Sequence, residues 1–372
     1  MDLKPTVEQA AIRAEFAAFS DREVRPLAAE LDERPRFPRG LFNTAGELGL
    51  FAMRYPPPDG VGADGLSFAI AIEEIARGSL AVAACCAMQS LMGTTFVHRF
   101  AEGAVRERLL GPALRGEVVG TICMTEPDSG SDLMSMRTRA RDDGGTWRIS
   151  GSKTWITSAP VAGMFTVFAR TGEDCLSVFL VEREAPGVTV GKAIEKGGVR
   201  CSVTSEVAFH DTPATALLGE PDQGAAYLKE VLADIRVMTA ALAVGIARAA
   251  MDDAVAYAAE RRQFGKPINR LQAVQHHLSQ MAVDVRAAQQ MTYWAAWRAD
   301  QGLGGAHDAA MAKLFASEAA ARVCDRAARV HASYGFAKEY AVERYLRDVR
   351  FLLIGGGTSE ILHGVIARGL KP

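Results

Sequence analysis

Two short segments hold the residues best suited to chemistry: Thr125-Glu-Pro-Asp-Ser-Gly-Ser-Asp132 and, further along, Gly151-Ser-Lys-Thr-Trp-Ile-Thr157. Each sets small hydroxyl residues and glycine beside a bulky apolar side chain. A flat cofactor with a polar edge needs that combination. Backbone groups and hydroxyls serve its carbonyls and ring nitrogens, and an aromatic face covers its rings.

The elements that must position these segments fall into three blocks. From residue 5 to about 115 the chain is rich in Ala, Leu, Glu and Arg with apolar residues at helical spacing, interrupted by a loop at Tyr55-Pro-Pro-Pro-Asp-Gly60. From about 118 to 218 short β-rich runs follow, such as Phe165-Thr-Val-Phe168 and Leu176-Ser-Val-Phe-Leu-Val181, separated by turn signals at Asp142-Asp-Gly-Gly145 and Gly172-Glu-Asp174. From about 222 onward the chain is helical and Ala-rich again, with Gly302-Leu-Gly-Gly305 marking a helix–helix turn. The expected domains are 1–116, 117–220 and 221–372, in an α+β layout of two helical blocks around a β block.

Composition narrows the function classes. The length of 372 residues suits two or three packed domains, and 49% hydrophobic residues provide a large core. A net charge of −2 gives no electrostatic reason to expect nucleic acid or an anionic membrane as partner. Six cysteines show no C-x-x-C and no framework spacing, so they read as buried thiols in a reducing compartment. The polar N-terminus reads as no secretory signal, and the apolar run Met238–Ala250 is too short to span a bilayer. A cytoplasmic protein is expected.

Other motif matches fail on context. Gly60-Val-Gly-Ala-Asp-Gly65 matches a dinucleotide fingerprint, but three prolines rather than a strand precede it. Gly151-Ser-Lys-Thr154 has a residue between glycine and lysine, which a phosphate-binding P-loop does not tolerate. His276 and His277 point about 100° apart on a helix and do not share a metal. No metal site is expected.

The two segments closely resemble the middle-domain motifs of the acyl-CoA dehydrogenase family, flavoproteins that oxidise acyl thioesters, and the domain order matches along nearly the whole chain. The resemblance implies a middle antiparallel β-barrel domain, a C-terminal four-helix bundle and FAD. Met124, Thr125 and Gly130 would meet the flavin, Ser131 its pyrophosphate region, Trp155 its ring and Thr157 its N5. Glu260-Arg-Arg-Gln-Phe-Gly265 resembles the family's E-R-x-x-F-G segment. Through it Arg261, Phe264 and Gln272 would reach a neighbouring subunit's flavin, making at least a homodimer or homotetramer with shared sites. Tyr334–Asp348, Gly357-Thr-Ser-Glu-Ile361 and Ile366-Ala-Arg368 resemble the C-terminal signature, with Thr358 at the diphosphate. Ser131, Arg236 and Arg368 would contact substrate, and Arg200 and Ser202–Thr204 lie where members approach the nucleotide end of CoA. The resemblance also implies an acyl-CoA or acyl-carrier-protein substrate and an electron-transfer flavoprotein as electron acceptor.

Two departures stand out. Most members place a glutamate base directly before Gly-Thr-Ser; here that position is Gly356. Others place it on the helix opening the C-terminal domain, which here corresponds to Ile235. Asp234 is the nearest acid and is taken as the provisional base, with Glu230 one turn earlier. The family's Gly-Gly pair near the adenosine diphosphate is Ala332-Ser333 here, with Arg329 able to add charge. The expected activity is α,β-dehydrogenation of an acyl thioester. The alternatives are a redox-neutral elimination or ring closure on such a thioester, or a non-catalytic subunit whose partner brings the carboxylate.

Overall fold

The computed structural model describes residues 4–370. The first block forms α1 (Val7–Phe19), α2 (Arg25–Glu33), α3 (Arg39–Glu47), α4 (Gly65–Gly78), α5 (Leu80–Met88), α6 (Thr95–Phe100) and α7 (Gly103–Leu114). Thr6 and Gln9 cap α1 reciprocally, each side chain accepting the other's backbone N–H. The Gly60–Gly65 stretch is a loop whose Asp64 caps α4 by accepting from Ser67 N, and among the described residues no strand stands before it. The stretch Leu80–Phe100 is long and apolar enough to cross a membrane, but 89% of it is buried within the protein, as a core helix would be.

The second block is one eight-stranded sheet: β1 (Gly120–Cys123), β2 (Arg139–Asp143), β3 (Thr146–Thr157), β4 (Met164–Arg170), β5 (Leu176–Glu182), β6 (Val188–Val190), β7 (Thr204–Pro213) and β8 (Ala216–Leu217). Its order is β6-β7-β3-β2-β4-β5-β8, with β1 beside β4. It is not antiparallel throughout. β1 arrives from α7 and runs parallel to β4, and β2 meets β4 in parallel at Arg139 and Arg170. Phe165, Val167, Phe179, Val181, Val207 and Phe209 give the sheet a small core of its own.

The third block holds α8 (Gly224–Glu260), a hairpin of β9 (Arg262–Gln263) and β10 (Lys266–Pro267), then α9 (Gln272–Asp300), α10 (Ala306–His331), α11 (Ala341–Asp348) and α12 (Ser359–Gly369). α8 is buried almost continuously from Ile235 to Ala250 because α10 packs on one side and α4 on another. Small residues permit this approach: a Cβ on Gly245 would sit 2.4 Å from Glu73 O on α4. The segment Gln89–Gly93, between α5 and α6, touches both β1 and α8, so all three blocks meet there.

Candidate active site

The two hydroxyl-rich segments are locked to each other. Thr154 N donates to Thr125 O at 2.9 Å, and the buried Lys153 ammonium donates to Glu126 Oε1 at 2.9 Å and Met124 O at 3.1 Å. Glu126 in turn accepts from the backbone amides of Arg137 and Thr138, closing the loop between β1 and β2. Burial alone would raise the Glu126 carboxyl, but Lys153 and these amides hold it below the usual carboxylate range. Burial depresses the Lys153 ammonium even with Glu126 beside it. Gly151 allows the loop to close: a Cβ there would stand 2.4 Å from Thr138 Oγ1.

This frame leaves a polar, open edge. The Thr125 and Ser131 hydroxyls have no protein partner among the described residues, and space beside Gly130 is free until Thr125 Cγ2 at 3.9 Å. The register of β3 against β7 shifts between Lys153 and Ile156. The resulting bulge holds Trp155 at φ 58° with its side chain 57% exposed. The exposed indole offers a face on which a planar ring system could lie. Thr157 ends β3, its carbonyl accepting from Thr121 Oγ1 at 2.6 Å. These residues fit FAD.

The C-terminal residues are arranged differently. Phe264 projects from the β9–β10 hairpin at φ 51°, 88% exposed. Arg261 lies over the Tyr334 ring at 5.6 Å, and Gln272 is exposed at the start of α9. Arg329 pairs with Asp325 on the same helix. Ala332 keeps a glycine-like backbone at φ 53°, ψ −128°. Thr358 caps α12, accepting from Ile361 N. Arg368 is exposed, near Gly364.

The two positions at which a base is expected converge. A Cβ on Gly356 would stand 3.2 Å from Thr239 Oγ1 and 3.4 Å from Ile235 Cγ2. Neither position carries an acid. Asp234 is one residue away but accepts from Arg54 at 2.7 Å, and Glu230 pairs with Arg99 at the surface. Cations surround the glycine loop instead. Arg236 Nε donates to Gly356 O at 3.2 Å, and Lys313 Nζ donates to Gly357 O at 2.6 Å. Burial, then the charge of Arg236, pushes Lys313 down to about 8; burial also lowers Arg236.

A cavity of about 570 Å³ lies elsewhere, between α1, α4, α8 and α9. None of the candidate site residues lines it, and its Arg13 and Arg248 are already paired with Glu73 and Glu74. The β3 loop and the glycine loop, where the residues expected to hold cofactor and base stand, remain the candidate site. Lys153, Glu126, Arg54, Thr239 and Lys313 were not anticipated as site residues. The acid and the lysine that follow the hydroxyls of the two motifs were the available signal for the first pair.

The whole chain matches known proteins consistently. Residues 6–117, 121–212 and 222–371 match the N-terminal, middle and C-terminal domains of acyl-CoA dehydrogenases. The benzylmalonyl-CoA dehydrogenase of Aromatoleum aromaticum is 54% identical, covering 99% of each chain. The butyryl-CoA dehydrogenase of Megasphaera elsdenii superimposes with TM-score 0.96 at 32% identity, covering 100% of each chain. A chain in the electron transferring flavoprotein structure of Acidaminococcus fermentans does so with TM-score 0.96 at 32% identity, covering 100% of this chain and 99% of that one. Sequence and fold thus agree, and the chain belongs to the acyl-CoA dehydrogenase family.

Proposed function

We propose that this FAD-dependent dehydrogenase of acyl thioesters acts on a coenzyme A ester whose acyl group is of the benzylmalonyl type: a carboxylate on Cα and an aryl group beyond Cβ. The identity of 54% over 99% of both chains with a benzylmalonyl-CoA dehydrogenase carries this reading. Flavin, when bound, accepts the hydride that leaves Cβ. Thr125, Ser131, Trp155, Thr157 and Thr358 would hold it, within the frame fixed by Lys153 and Glu126. Arg236 and Lys313 fix the carbonyls of the glycine loop and keep positive charge beside it.

Electron-transfer flavoprotein is the proposed electron acceptor, supported by the likeness to a chain in an electron transferring flavoprotein structure. A shared flavin site is supported by Phe264 and Phe336, which stand 88% and 89% exposed on the C-terminal surface and gain from coverage by a second copy. Anaerobic titration tests the substrate reading. Benzylmalonyl-CoA should bleach the flavin band in near-stoichiometric amounts; failure to bleach it while butyryl-CoA succeeds would redirect the reading to simple acyl-CoA esters.

A further inference from the structure

We propose that the cavity between α1, α4, α8 and α9 is a second ligand site, built for a free aromatic carboxylate rather than for a thioester. Its volume of about 570 Å³ falls within the roughly 300–1,000 Å³ of small-molecule sites. At about 30 Å³ for each water-sized group, it has room for roughly 20 non-hydrogen atoms.

One wall is a fixed polar array. α4 is apolar from Phe68 to Ile72 and then carries Glu73 and Glu74, both buried. Two adjacent buried carboxylates are costly unless cations and hydrogen bonds satisfy them. Arg13 of α1 and Arg248 of α8 supply the charge, while Gln289 and Tyr293 of α9 donate to Glu73 at 2.8 and 2.7 Å. All four of these partners line the cavity, so the glutamates behind them hold their donors in place.

That wall offers donors without acids. Arg248 reaches both glutamates through Nη1, and its Nη2 and Nε have no partner among the described residues. Arg286 donates through Nη1 to Gln289 Oε1 at 3.1 Å and has no acid partner among the described residues. The Gln290 amide bonds to none of them either. Gln9 Oε1 is occupied by Thr6 N, and Gln289 Oε1 by Arg286. No aspartate or glutamate is among the lining residues. A ligand here must therefore bring acceptor oxygens, and a carboxylate brings two in one plane, which matches a guanidinium fork.

The rest of the lining is apolar and aromatic. Leu66, Ile70, Met251 and Val285 contribute aliphatic surface, and Trp294 and Trp297 contribute indoles. Three residues apart on α9, the two indoles share one helix face. With the Tyr293 ring they suit a flat aromatic body by offset or edge contact.

The test uses the flavin-loaded wild type with 4-biphenylacetate as probe and 4-biphenylacetamide as its uncharged counterpart. Isothermal titration calorimetry should show one site per chain for the acid, with a dissociation constant of about 0.3 mM or tighter. The amide should bind about tenfold more weakly, the scale of a charge-assisted hydrogen bond. Saturating acetyl-CoA should change neither value. Arg286→Gln, at an exposed position, should remove the preference for the acid. Trp297→Ala should weaken acid and amide alike, by about fivefold. Absence of saturable binding to the wild type, equal affinity for acid and amide, or displacement of the probe by acetyl-CoA would each overturn the proposal. None of those results bears on the dehydrogenase reading, which flavin bleaching by thioesters decides.

Discussion

Ile235 and Gly356 face each other: the Cγ2 of one lies 3.4 Å from where a Cβ of the other would stand. They come from distant parts of the chain, one inside α8 and one in the loop before α12. Each is a position at which the family resemblance leads one to expect the glutamate base, and the fold brings both to one point. That point holds no acid. A carboxylate on either would enter the same space, so the two absences are one structural feature rather than two.

Asp234 is therefore expected to be dispensable for the chemical step. Asp234→Asn keeps an acceptor for Arg54 and should lower kcat by less than about tenfold, against the 10²- to 10⁴-fold expected for loss of a general base. Single-turnover flavin reduction measures this directly. A loss of about 1000-fold would restore Asp234 as the base.

Lys153 holds the cofactor loop through Glu126 and Met124 O. Replacing it with methionine leaves Glu126 buried without its cation, which should lower stability by about 3–5 kcal/mol and release FAD. Denaturant unfolding and flavin retention on gel filtration would show both effects. Lys153→Met combined with Glu126→Gln should recover part of the stability, since no charge is then stranded.

Ala332 occupies a backbone conformation suited to glycine, with φ 53° and ψ −128°. Ala332→Gly should raise stability by about 1 kcal/mol, relieving that strain. Thermal denaturation would check it, and an unchanged or lower midpoint would mean that the turn tolerates the side chain.

Lys313 links stability to alkaline pH. Its folded value of about 8 lies below the ordinary 10.5, so between these values the unfolded chain binds a proton that the folded chain does not. Stability contributed by this group therefore rises with pH from about 8 to 10.5, by up to about 3 kcal/mol. Below pH 8 the cost of burying the ammonium is constant. Lys313→Met should flatten the rise in urea unfolding midpoints across that window.

Much of the candidate site is legible in the sequence because it depends on local runs. The hydroxyls of Thr125 and Thr157, the bulky Trp155 and the missing acid at Gly356 can be read without a fold. What could not be read were relationships between distant residues. Arg54 and Asp234 are separated by 180 positions, so nothing local shows that the nearest acid is already paired. Lys153 belonged to a stretch set aside as a failed P-loop, and only the packing of β3 reveals it as the partner of Glu126. The parallel pairing of β1 with β4 was equally hidden, since a strand's residues specify burial but not the direction of its neighbour.

The central claim is that no protein base removes a proton from Cα, and deuterium exchange tests it most directly. The flavin-loaded protein would be incubated anaerobically with butyryl-CoA in D2O and the recovered thioester examined by mass spectrometry. No deuterium at Cα beyond the uncatalysed background is predicted for the wild type, whereas Ile235→Glu should introduce it. Rapid exchange by the wild type would reveal a functioning base and contradict the account.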